Sequence, residues 1–151
     1  MQPYDAPALD EDLDPDHATT RPPLLVPLAG ASLGASAFFV VGTGAQLLLF
    51  FSLSLPLQLV GMALVLLGLA ALVVAPFHML GRGWAAVAGT VLAGVLGLLS
   101  WGWALTALFL GLFSLVAIFA AFLTVPAALL APFTIGPSLR ISAARRALYE
   151  G

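Results

Sequence analysis

Enzyme chemistry needs an acid, a base, a nucleophile or a metal ligand within reach of a partner. This sequence holds few such residues away from its ends. His78 is an imidazole in an apolar setting, a residue type that binds haem or metals or carries protons. Arg82 stands four residues on and could grip a phosphate or a carboxylate. No Asp or Glu lies between Asp16 and Glu150, and cysteine is absent altogether. A lone imidazole cannot close a metal site within one chain, and thiolate chemistry and disulfides are excluded. The expected catalytic, cofactor and metal sets are therefore empty, and His78 reads as an interfacial polar residue in a loop beside Arg82.

The acids sit at the start. Asp10, Asp12 and Asp14 alternate like the first, third and fifth positions of a calcium-binding loop. Pro15 falls where that loop needs a turning glycine, however, and Arg21 where it needs a bidentate glutamate. Residues 1–23, rich in Pro and acid, read instead as a flexible solvated tail, with partner docking as an alternative use. A signal peptide opens with positive charge, opposite to this run, so the first apolar segment is expected to be retained.

The elements that must position these residues follow from composition. A soluble domain keeps roughly a quarter of its residues charged, whereas this chain has 8 % charged and 62 % hydrophobic residues, with mean hydropathy +1.11. Net charge is only −2 and most acids lie near the start, so there is no basic surface for nucleic acid. No charge occurs between Arg21 and Arg82, or between Arg82 and Arg140. The lipid bilayer is the solvent that accepts two such tracts, and the expected class is an all-α integral membrane protein. Four spans of about 20 residues fit, arranged as two antiparallel hairpins.

Turn residues set the boundaries. Ser54 and Pro56 suit a helix start, giving spans of about 28–51 and 56–75. Residues 76–83 join a helix-stopping Pro to two glycines and form the next loop. Trp84 and Trp101 lie about 25 Å apart along a helix, close to the spacing of the two interfacial belts. That places a turn at 100–103 and spans at 84–100 and 103–125, the last ended by Pro126. Residues 127–139 read as an interfacial or re-entrant segment, and 140–151 as a short amphipathic interfacial helix with Ile141, Ala144 and Leu148 on one face. Ala75-Pro76-Phe77 recurs as Ala131-Pro132-Phe133. Taken as a duplication, this repeat would move the fourth span to about 112–131.

Two faces stand out. Ser32, Ser36, Thr43 and Gln46 share one side of span one, as interhelical hydrogen-bonding glue or as the lining of a polar path. Ala85, Gly89, Ala93 and Gly97 recur every four residues in span three, opposite Ala107, Gly111 and Ser114 of span four. Small residues at that spacing admit close helix packing, within the chain or with another subunit, while Leu92 faces lipid. Interfacial anchors are Arg82, Trp84, Trp101, Trp103, Arg140, Arg145 and Arg146.

Pumps and ion carriers need buried charge, which is missing here, so the expected role is a non-catalytic accessory or structural subunit of a larger membrane complex. A homo-oligomeric channel or carrier for an uncharged solute is the alternative. Expected partners are membrane lipids and other membrane subunits. The lysine-free, Ala- and Leu-rich composition leans bacterial, hence an inner membrane. With four spans, all five basic residues fall on one side, so both termini are predicted to be cytoplasmic. Reporters fused to either end should both read cytoplasmic; a periplasmic signal from the C-terminus alone would require an odd number of spans.

Overall fold

The structure, a computed structural model, describes residues 22–50, 54–109, 111 and 115–150, the last three by backbone only. The acidic run, Arg21 and Ser114 lie outside the described residues. Those described form four α-helices and no strand: α1 (Leu25–Phe50), α2 (Leu55–Met79), α3 (Gly83–Phe109) and α4 (Leu115–Glu150). All four are long and apolar enough to cross a membrane. Their outward faces carry large apolar side chains such as Leu24, Phe38, Phe50, Leu98 and Phe109, as a hydrocarbon solvent permits.

Three boundaries differ from the sequence reading, and one cause explains them. In hydrocarbon a backbone group without a partner costs several kcal/mol, so a helix continues wherever it can. Pro76 lies inside α2, and the chain turns only at residues 80–82, where Gly81 takes φ +69. The turn expected at 100–103 is helical; α3 ends at Phe109, and Gly111, with φ +70, supplies the left-handed turn that stops it. Its N–H bonds Leu108 O at 3.1 Å. Gly111 is thus a turn residue and not part of a packing face. The segment set apart as re-entrant and the terminal amphipathic helix are both parts of α4, which passes through Pro126, Pro132 and Pro137. Ser54 sits at the N-cap of α2, but its hydroxyl makes no capping bond.

α1 packs along α2 and α4, and α3 along α4 and more thinly along α2; α2 and α4 stand diagonally across the bundle. The closest approach is between α1 and α2. A Cβ on Gly44 would lie 2.6 Å from Gly61 O, one on Gly68 would lie 3.2 Å from Ala37 O, and one on Gly30 would lie 3.0 Å from Ala75 O. Three small pairs, Gly30 with Ala75, Ala37 with Gly68 and Gly44 with Gly61, therefore recur at seven-residue steps along two helices running in opposite directions. That period keeps a seam facing its partner. In lipid, where apolar burial gives no drive between helices, dispersion and weak Cα–H···O contacts at such approaches hold the pair.

The Ala-Pro-Phe repeat extends to the packing. The partner of residue i lies 56 positions on, as with His78 and Thr134. Buried Ala29, Gly30, Leu33, Ala37, Val40, Gly44 and Leu47 of α1 correspond to buried Ala85, Ala86, Gly89, Ala93, Leu96, Ser100 and Trp103 of α3. Buried Leu64, Gly68, Ala71, Ala75 and His78 of α2 correspond likewise to Ala120, Thr124, Ala127, Ala131 and Thr134 of α4. Many buried positions of α1 and α2 thus recur in α3 and α4 at this interval.

The seam yields a direct expectation. Gly44→Ala and Gly61→Ala each force backbones apart and should lower unfolding free energy by about 1–3 kcal/mol. Gly102, whose Cβ would meet nothing within 4 Å, should accept Ala with no loss. Thermal unfolding in mild detergent measures this, and a Gly44→Ala protein as stable as its parent would remove the seam from the account.

Candidate functional site

His78 is not in a loop. The extra turn of α2 beyond Pro76 carries it into the bundle, where it is fully buried. Its Nε2 lies 2.7 Å from Thr134 Oγ1 of the diagonal helix, and the Thr134 hydroxyl in turn donates to Ala131 O at 2.6 Å. A hydroxyl has one proton to give. Both contacts are hydrogen bonds at once only when the threonine oxygen accepts from an Nε2–H imidazole, the arrangement in which Nδ1 is a bare acceptor. Nδ1 has no hydrogen-bond partner. It faces Gly89 of α3, where a Cβ would sit 2.5 Å from it and 3.2 Å from both His78 Cε1 and Leu33 Cδ2.

Leu33, His78, Gly89 and Thr134 come from four different helices and form one layer. They are also two repeat-related pairs, Leu33 with Gly89 and His78 with Thr134. Equivalent residues of two similar halves meet only where they approach a common axis, and here each large residue of the first half fills space that a smaller residue of the second half leaves open. The triplet repeat was the sequence signal for this layer; the burial of His78 was not readable from it.

No protein family, curated protein or solved structure matches the chain. Its chemistry is therefore read from its own side chains. Among the described residues no three His, Cys, Asp or Glu side chains come together. Ser32, Ser36 and Thr43 donate to Ala29 O, Leu33 O and Phe39 O of their own helix, so the expected interhelical glue is a set of intrahelical bonds. Ser36 and Thr43 are buried while Ser32 and Gln46 are half-buried.

Of the small-residue face, Ala85, Gly89, Ala93 and Ala107 are buried, and a Cβ on Gly97 would lie 3.8 Å from Thr124 Oγ1 of α4. The nearest neighbours of Gly89 are His78 of α2 and Leu33 of α1. Leu92 is only partly exposed and packs in part against the core. Trp103 is buried, which removes it from the interfacial anchors, whereas Trp84 is 56 % exposed and stacks near Phe77 at 5.4 Å. Trp101 packs on Phe122 of α4 at 5.3 Å. Arg82, Arg140 and Arg146 are exposed and Arg145 half-buried, all toward one end of the bundle, where Gly83 N–H donates to Ser142 Oγ at 2.8 Å.

The axial layer generates a double-mutant test. Thr134→Val strips the acceptor from a buried N–H and should cost about 1–3 kcal/mol. Gly89→Ala should destabilise the protein through its overlap with the imidazole, yet be nearly neutral in a His78→Ala background, giving a coupling of about 0.5–3 kcal/mol. Additive effects would mean that Gly89 and His78 do not touch.

Proposed function

We propose that this chain is a non-catalytic accessory or structural subunit of a larger membrane protein complex and acts through helix packing in the bilayer. In this reading it sits in a bacterial inner membrane as two antiparallel hairpins, with its acidic tail and both termini in the cytoplasm. Its partners are other membrane subunits and lipid.

The carrying observation is the outward face of α3. Gly94 and Gly102 are exposed, with open space where a Cβ would stand, and they lie on a face with Val91, Val95, Leu98, Trp101 and Leu105, all exposed. Glycine costs about 1 kcal/mol relative to Ala in a helix interior, and toward lipid it gains nothing in return. Two glycines eight residues apart make sense where another helix approaches. The inward small residues, in contrast, are already occupied by the chain's own helices. A carrier role draws less support, because the hydroxyls of α1 are spent on their own backbone.

Inward and outward glycines make the proposal separable from stability. Gly94→Leu and Gly102→Leu should leave the unfolding temperature of the purified chain unchanged while cutting co-purification of its partners, after gentle solubilisation at native expression, by about tenfold. Recovery of the wild-type chain alone under those conditions would defeat the proposal.

A further inference from the structure

We propose that the cleft between the α2–α3 turn and the far end of α4 binds the phosphodiester headgroup of an anionic membrane lipid. The cleft encloses about 400 Å³, within the ~300–1,000 Å³ range of small-molecule sites. Arg82 reaches it from the turn, Arg145 and Arg146 from α4, and Gly83, Trp84, Leu139 and Ser142 complete the lining. Residues more than sixty positions apart in sequence thus bring three guanidinium groups to one concavity, and among the described residues no acid lines it.

The chemistry of the walls selects the ligand. Guanidinium is always charged and matches phosphate oxygens with paired N–H donors. The cleft also opens at the first turn of the 27-residue α3, whose helix dipole adds partial positive charge near the place where an anion would rest. The arginines are held in place by the backbone around them. Gly81, with φ +69, turns the chain sharply just before Arg82. Gly83 is pinned to α4 by Ser142 Oγ and by Leu139, whose side chain lies 2.9 Å from where a Cβ would be.

The position selects a lipid over a free phosphate. Trp84, exposed beside Phe77, is the residue type that settles at headgroup level. Leu80 and Leu139 are exposed close by and offer an apolar surface continuous with the spans for acyl chains. Arg140 lies on the same helix outside this lining, and it serves as a control for charge alone.

The full chain in mild detergent is titrated with phosphatidylglycerol or phosphatidylcholine and the bound lipid counted by native mass spectrometry. Parent and Arg140→Gln should prefer phosphatidylglycerol by about tenfold, the worth of one charge-assisted contact. Arg82→Gln and the double variant Arg145→Gln/Arg146→Gln should lose that preference. Arg82→Lys, which keeps the charge without the fork, should lose part of it and covers the case in which the Gln variant misfolds. Equal losses in Arg140→Gln and Arg82→Gln would reduce the effect to surface charge and overturn the site. Millimolar inorganic phosphate should not displace the lipid. If it does, and itself binds in an Arg82-dependent manner, the occupant is a free phosphate and the lipid assignment fails.

Discussion

A polypeptide in hydrocarbon has to satisfy its own N–H and C=O groups, and in this bundle that requirement outranks every local signal. Four internal prolines, Pro76, Pro126, Pro132 and Pro137, lie within helices, although each removes a donor from the ladder. In water the chain would turn at such points and solvent would take up the freed groups. In lipid a turn would orphan more groups than the proline does. Among the described residues, α2 and α3 instead end beside Gly81 and Gly111, the two positions where a positive φ lets the chain turn.

The same solvent decides how the helices hold together. Burying apolar area against lipid gains little, so association relies on the number of atoms brought into contact. The seam of Gly30, Ala37 and Gly44 against Ala75, Gly68 and Gly61 brings two backbones together, which a Leu-rich interface could not do. Hydroxyls follow a parallel logic: with no water to bond, Ser32, Ser36, Thr43, Thr90, Thr124 and Thr134 donate to carbonyls three or four residues back in their own helix. Once so bonded, a hydroxyl can still accept, and that remaining capacity is what lets Thr134 receive the N–H of His78.

The axial layer is where two similar halves become one asymmetric molecule. Were both halves identical there, two leucines and two histidines would compete for the same space, or two glycines and two threonines would leave a void, and close packing tolerates neither. Leu33 against Gly89 and His78 against Thr134 resolve this by pairing large with small. The bare Nδ1 of His78 is an unsatisfied acceptor in this arrangement, a cost of about 1–3 kcal/mol.

Composition alone determined the solvent, because the apolar excess has only one place to go, and the two uncharged tracts required several spans. The first helix pair was legible to within a turn because Ser54, Pro56, Gly81 and Arg82 punctuate it. Tryptophan spacing is no ruler for the second pair: Trp101 packs on Phe122, and Trp103 is buried within α3, while the stop, Gly111, looks in sequence like one more small residue on a helix face. Register explains what no sequence pattern could show. A helix wheel says which residues share a side, but not which other helix meets that side or at what height. For that reason the three arginines of the cleft and the partner of His78 are properties of the fold: they depend on α4 running on past Pro126 and Pro132 to bring Thr134, and past Pro137 to bring Ser142 and Arg145, beside a turn more than fifty residues earlier in the chain.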